Sequence, residues 1–137
     1  MNILKSALVI TCLSLTTLVF AGGEPAAKAY ILSPADGATV TSPVTVRFGL
    51  FGMGVAPAGV DREKTGHHHL LIDVKTLPDF NHPIPSDEHH RHFGGGQTEV
   101  VLELSPGKHS LQLLLGDYSH TPHNPPILSE PVTITVK

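Results

Sequence analysis

The stretch VTVRFGL, residues 44–50, decides the fold class, because its four large apolar side chains alternate with polar or small ones. Successive side chains of a strand point to opposite sides, so the apolar four fall on one face. The same period of two recurs at residues 68–74, 100–104, 109–115 and 132–136. Gly and Pro separate these runs, and no helical period persists beyond a turn or two. The sequence therefore predicts an all-β chain.

The number and spacing of these runs indicate a sandwich. Residues 30–33 add a further strand before the turn PADG at 34–37. Six or seven short strands in a little over one hundred residues predict an immunoglobulin-like β-sandwich of about seven strands. In such a sandwich the strands at 68–74 and 109–115 are antiparallel neighbours, so the start of the first meets the end of the second. A small closed barrel is the alternative.

The N-terminal 21 residues have the pattern of a secretory signal peptide. One cation, Lys5, precedes an apolar run from residue 6 to residue 20, which ends in Ala21-Gly22-Gly23. This run is too short to span a bilayer as a helix. We expect cleavage after Ala21, or as late as Ala29, with residues 22–29 as a linker and residues 30–137 as one domain. The expected location is the periplasm, with no membrane attachment after cleavage.

Histidine is the unusual component of the composition. The 137 residues contain 10 His against 9 Lys and Arg, and the formal net charge is only -3. A charge of this sign and size excludes nucleic acid as the default partner. The single cysteine, Cys12, lies inside the predicted signal, so the mature chain has no thiol and forms no disulfide. Function is therefore sought among the histidines, the side chains most used for metals and pH sensing.

Eight of the ten histidines flank the ends of predicted strands that meet at one pole of the sandwich. Neutral imidazole suits Zn, Cu and Ni, while a chain with no thiolate and only Met53 after export does not support a Cu(I) thioether site. We therefore predict a Cu(II) or Zn(II) site. Its candidate ligands are His67, His69, His90, His92, His120 and His123. The carboxylates of Asp87, Glu88 and Asp117 are expected to complete the coordination or to hold an imidazole's second nitrogen.

The remaining histidines are interpreted as structural or solvated. His68 faces inward, as a hydrogen-bonded residue at the edge of the core. His109 begins its strand after a Pro-Gly turn, so we expect it at the opposite pole, bonded to backbone as a corner tyrosine is. His82 is expected in solvent. The run Gly94-Gly95-Gly96 lacks the residues of a phosphate-binding loop and is expected to turn the chain sharply, so that His92 reaches the pole.

Three motifs carry a family resemblance. They are GHHHLLID at 66–73, HRHFGGGQTE at 90–99, and PGKH at 106–109 continuing through Gly116-Asp117 to HTPH at 120–123. Together they resemble a bacterial family of small exported proteins known only as a domain of unknown function. The resemblance covers nearly all of the mature chain but implies no activity, so the function is inferred from the residues.

Three functions follow from these observations. The first is a periplasmic histidine-rich protein that binds a divalent metal, copper or zinc, in storage, delivery or homeostasis, with the ion and an envelope protein as its partners. The alternative is a non-catalytic immunoglobulin-like envelope module that binds a protein or glycan, in which the histidines are polar loop residues or a pH sensor. A metalloenzyme is the third, and here the spacing and cysteines of Cu/Zn superoxide dismutase are absent from the sequence.

Overall fold

Nine β-strands and no helix occur within residues 26–137, the part of the chain that the computed structural model describes. The predicted signal peptide lies outside the described residues. No described helix is therefore long and apolar enough to cross a membrane. The strands are β1 (Lys28–Ser33), β2 (Thr39–Val40), β3 (Val44–Phe51), β4 (Gly54–Val55), β5 (Thr65–Ile72), β6 (His90–His92), β7 (Glu99–Leu102), β8 (Gly107–Gly116) and β9 (Val132–Val136).

These strands form two sheets, which confirms the predicted all-β sandwich. One sheet has three strands in the order β1-β3-β7, and the other has the order β2-β9-β8-β5-β4 with β6 also paired to β5. Strands β5 and β8 are antiparallel neighbours, as predicted. Strand β1 begins at Lys28, two residues before the expected start of the domain.

The core between the sheets is built by the alternation that the sequence shows. Val46 of β3, Leu70 of β5, Leu113 of β8 and Ile134 of β9 are each fully buried in one cluster. Burial of each such side chain contributes about 1.5–3 kcal/mol relative to its exposure to water. The predicted inward faces of β3, β8 and β9, and that of β5 as far as Ile72, are therefore confirmed.

Strand β5 is buried on both faces, which a single inward face does not predict. Its outer face carries His67, His69 and Leu71, and loops 73–89 and 117–131 cover that face with a second, smaller core. Val74 joins this second core instead of the first, because Asp73 has a φ of 57° and interrupts the strand alternation. The expectation that Val74 faces inward with Leu70 is therefore wrong.

Strand register decides which side chains meet on this outer face. His67 lies opposite Gly116, the last residue of β8, and His69 lies opposite Leu114. On its other edge β5 pairs with β6, where His69 lies directly opposite His92. The start of β5 therefore meets the end of β8, as predicted, and β6 adds a histidine from a third strand.

Candidate metal centre

Four imidazoles converge on the outer face of the larger sheet, and we call His67, His69, His92 and His120 the histidine cluster. Five of the six distances between their ring centroids fall between 4.8 and 5.2 Å. The sixth, between His69 and His120, is 6.2 Å. Each ring therefore lies beside the other three.

Strand β5 supplies the two buried members. His67 and His69 are two residues apart, so both point to the outer face, and they are 0% and 1% exposed. Neither nitrogen of His67 has a hydrogen-bond partner among the described residues, and nor does Nδ1 of His69. Buried polar atoms in proteins are almost always paired, so these nitrogens are unusual, and a bound water or ion would pair them.

The third member, His92, comes from β6 and stacks on His69 with an angle of 29° between the ring planes. A β-carbon at position 94 would collide with the His92 ring, so Gly94 leaves the space that the imidazole occupies. Gly96, with a φ of 82°, turns the chain back, and its N–H donates to the Phe93 carbonyl. The triple glycine therefore serves both the expected turn and the packing of His92.

The fourth member, His120, lies in a turn just after β8. The Asp117 carboxylate accepts hydrogen bonds from the backbone N–H groups of Ser119 and Thr121 and from the Ser119 hydroxyl. The His120 N–H donates to the Asp117 carbonyl, and the His120 carbonyl accepts from Ile84 N–H at 2.9 Å. These bonds hold His120 at a φ of 70°, with its ring over the cluster.

The donor atoms and charge state of the cluster suit a metal ion. One nitrogen from each of His67, His92 and His120 lies within 4.8 Å of the others, whereas no nitrogen of His69 belongs to this group. Burial, followed by the nearby imidazoles, lowers the pKa of His67 to about 4 and that of His69 to about 3. Burial also lowers the pKa of His92. These three imidazoles are therefore neutral at pH 7, the form that binds a metal.

Two of the six predicted ligands lie outside the cluster. His90 is on the same face of β6, but its Nδ1 is bonded to Asp87 Oδ1 at 2.9 Å. A β-carbon at Gly66 would lie 2.8 Å from His123 Nε2 and 3.0 Å from Leu115, a residue of the main core. His123 is therefore on the inner side of the sheet, away from the cluster.

The expected convergence of eight histidines at one pole is corrected to four. His68 packs in the interior, with its ring centroid 5.3 Å from that of Phe48. The expectation that it is hydrogen-bonded is wrong, because neither ring nitrogen has a partner among residues 26–137. His89 bonds through Nδ1 to the carbonyl of Ile72, at the far end of β5 from His67.

The acidic side chains near these histidines have other partners. Asp87 binds His90, Glu88 Oε1 lies 3.6 Å from His89 Nε2, and Asp117 organises the turn before His120. Within the described part of the chain, the group of neighbouring donor atoms at the cluster contains only imidazoles. The expected carboxylate ligands are therefore not found, and a metal there would have nitrogen ligands from the protein.

At the opposite end of β8, His109 is bonded at both nitrogens. Nε2 lies 2.8 Å from the Ser105 carbonyl, which confirms the predicted bond to backbone, and Nδ1 lies 2.7 Å from Asp73 Oδ2. The Asp73 side chain and the Ser105 carbonyl raise the pKa of His109. Asp73 also accepts the N–H of Ser110 through Oδ1. His82 is exposed, as expected, and pairs with Asp79.

The sequence alone does not indicate the role of one residue that shapes the cluster, Gly116, or of one at the opposite end, Asp73. A β-carbon at Gly116 would lie 2.8 Å from Cε1 of His69, so this glycine gives the ring its place, as Gly94 does for His92. The period of two in residues 68–74 places Asp73 on the outward side of its predicted strand and gives no sign of its bond to His109. The available signal was positional, because Gly116 falls at the end of β8 where the start of β5 must pack.

Comparison with known proteins identifies the family. Residues 46–137 match the family described as Domain of unknown function (DUF4399), and this match covers more than half of the chain. The chain therefore belongs to that family, which confirms the predicted resemblance to a domain of unknown function. All four residues of the histidine cluster lie within the matched region. No curated protein and no solved structure matches the chain.

Proposed function

We propose that this member of the DUF4399 family binds a divalent metal, copper or zinc, in the periplasm, and serves in metal storage, delivery or homeostasis. The observation that carries the proposal is the histidine cluster, in which four imidazoles meet and the buried nitrogens of His67 and His69 lack partners among the described residues. The periplasmic location rests on the signal peptide predicted at residues 1–21.

The energetics of the cluster support a bound ion. A buried polar atom without a partner costs about 1–3 kcal/mol. Three such nitrogens occur on His67 and His69 alone. A metal that accepts one lone pair from each ring offsets part of this cost, so metal binding also stabilises the fold.

Access to the cluster favours an ion that enters and leaves over one that is permanently enclosed. His67 and His69 form a buried floor, whereas His92 is exposed and His120 is half-buried. The solvent-facing pair leaves a route by which an ion passes to a partner protein. Imidazole ligands also suit an oxidising compartment, since they have no thiol to lose to a disulfide.

The proposal is tested on untagged protein, because a polyhistidine tag binds the same ions. Elemental analysis after purification and calorimetric titration of the metal-free protein with Zn(II), Cu(II) and Ni(II) give the occupancy and the affinity. We expect tight binding that is lost in His67→Leu and retained in His82→Ala, a control at an exposed histidine. A folded wild-type protein that binds none of the three ions contradicts the proposal.

The second candidate is a non-catalytic envelope module that binds a protein or glycan, and one surface favours it. Tyr30, Leu32, Phe51 and Val101 are 38%, 60%, 52% and 59% exposed, and all four lie on strands of the three-stranded sheet. A contiguous patch of exposed apolar groups is typical of an interaction site, and these four share one sheet. If this function is correct, the protein has no metal affinity. It then associates with envelope fractions, and Val101→Asp abolishes that association.

A further inference from the structure

We infer that the histidine cluster holds its ion in a tetrahedral site of four imidazole nitrogens, which favours Zn(II) over Cu(II). This inference rests on the proposed metal binding and specifies its ligands and its ion. The observation behind this geometry is the set of distances between the four ring centroids.

Tetrahedral and square-planar sites place the rings differently. A metal–nitrogen bond of about 2.1 Å puts an imidazole centroid about 3.2 Å from the ion, so four centroids at tetrahedral corners lie about 5.2 Å apart. In a square plane, four of the separations shrink to about 4.5 Å and the two across the ion grow to about 6.4 Å. In a square plane the two long separations share no ring, because each joins two rings on opposite sides of the ion.

The observed separations fit the tetrahedron. Only the pair His69 and His120 is long, at 6.2 Å. The remaining pair, His67 and His92, would be the second diagonal of a square, but its separation is 5.0 Å. The other four lie between 4.8 and 5.2 Å, close to the tetrahedral value.

The backbone explains why the four rings do not share a plane. His67 and His69 stand on one strand and His92 on the next, so these three form a triangle over the sheet. His120 comes from the turn after β8, and its ring plane makes an angle of 80° with those of both His67 and His69. The donor nitrogens of His67, His92 and His120 lie within 4.8 Å of one another, and the His69 ring beside them on β5 supplies the fourth donor of the proposed tetrahedral set.

The surroundings of the rings resist a change to a square plane. Gly116 packs against the His69 ring and Gly94 against the His92 ring, each at a distance that leaves no space for a β-carbon. Zn(II) has no geometric preference from its d electrons and accepts a tetrahedron, whereas Cu(II) prefers a tetragonal arrangement. Because His69 is not among the donor nitrogens that lie within 4.8 Å of one another, binding requires its ring to turn toward the ion and to approach that of His120 by about 1 Å.

The test is X-ray absorption spectroscopy of the untagged protein loaded with Zn(II), together with the visible spectrum of the Co(II)-loaded protein. We expect four nitrogen neighbours at about 2.0–2.1 Å, with the scattering pattern of imidazole. The Co(II) protein is expected to show the intense visible bands of a tetrahedral ion. Five or six ligands, or the weak bands of octahedral Co(II), overturn the inference while the proposed metal binding stands.

One variant and its matched control test whether the loop histidine, His120, takes part. His120→Ala removes the loop ligand without disturbing a strand, and we expect it to replace one imidazole by solvent oxygen in the absorption spectrum. His90→Ala is the matched control, since His90 lies on the same face of β6 but is bonded to Asp87. A His120→Ala spectrum identical to that of wild type overturns the four-histidine site. A folded wild-type protein that binds neither Zn(II) nor Co(II) refutes the proposed function itself.

Discussion

Histidines lie at both ends of the paired strands β5 and β8, and their imidazoles differ in hydrogen bonding and in pKa. At one end His109 is bonded at both nitrogens, to Asp73 and to Ser105. At the other end both nitrogens of His67 are buried without a partner in the described chain. The pKa of His109 is raised, whereas that of His67 falls to about 4.

At these two ends the partners of a histidine, and not its burial alone, separate a structural role from the proposed binding role; His68 is also unpaired, but it packs against Phe48 in the interior. An imidazolium that donates to a carboxylate and a carbonyl joins two chain segments and has no lone pair for a metal. A neutral, unpaired imidazole destabilises the fold by itself and keeps its lone pair available. The following predictions test this contrast, from the largest expected effect to the smallest.

Replacing His67 by Leu should separate binding from stability most clearly. We expect metal affinity to fall by at least about 100-fold, since even loss of a residue that only orients a ligand costs about 10- to 100-fold. The free energy of unfolding of the metal-free protein should rise by about 1–3 kcal/mol, because an apolar side chain replaces unpaired buried nitrogens. Calorimetric titration and chemical denaturation measure the two effects. Unchanged affinity would remove His67 from the site.

Replacing His109 by Ala should do the reverse. We expect a loss of about 1–3 kcal/mol in the free energy of unfolding, because Asp73 loses its partner and a small cavity forms. Metal affinity should stay nearly intact, since His109 lies at the far end of β8 from Gly116. The measurements are denaturation of the metal-free protein and titration of the folded variant. Loss of binding in a folded His109→Ala protein would contradict the separation of the two ends.

The stability of the metal-free protein should depend on pH in two separate windows. The raised pKa of His109 gives stability that is complete below pH 6.5 and is lost as the pH rises through that raised value. The lowered pKa values of His67, His68 and His69, at about 4, 4 and 3, give the opposite trend. The unfolded chain takes up these protons near pH 6.5, so stability falls from there toward pH 4 and below.

Melting temperatures across the pH range check both windows. His109→Ala should remove the decline above pH 6.5, and His67→Leu should reduce the decline below it. If the two variants have the same pH profile as wild type, the opposite titration of the two ends is disproved.

Adding one methyl group at Gly116 should produce the smallest effect. Gly116→Ala places a β-carbon 2.8 Å from Cε1 of His69, so the ring must move. We expect metal affinity to fall about tenfold, which is less than removal of a ligand causes. Gly59→Ala serves as the control, because a β-carbon there meets no atom within 4 Å, although its φ of 82° adds local strain. Equal affinities in the two variants would show that the position of His69 is unimportant.

The sequence predicts the strands well because burial on one face imposes a period of two. It places the strands of residues 44–50, 109–115 and 132–136 within β3, β8 and β9 and sets the inward side of each. The strands β2, β4 and β6, of two or three residues each, are missed, since so few residues do not show a period. The burial of the outer face of β5 is also not predicted, because the loops that cover this face have no repeating pattern.

The site is predicted in part for a similar reason. His67 and His69 share a side because they lie two residues apart on a strand, and strand pairing brings His92 to them. The positions of His90 and His123 depend on local contacts. Asp87 binds His90, and His123 lies beside Gly66 on the inner side of the sheet. Alternation alone does not reveal such contacts. The partnership of His109 with Asp73 depends on the positive φ of Asp73, which has no signature in the sequence.

Anomalous diffraction at the absorption edge of zinc, from crystals of the untagged protein grown with Zn(II), tests the metal site most directly. We predict one dominant peak per chain, about 2.0–2.1 Å from nitrogens of His67, His69, His92 and His120. A dominant peak at the exposed pair His82 and Asp79, or no peak between the four imidazoles, would contradict the assignment of the histidine cluster as a metal site.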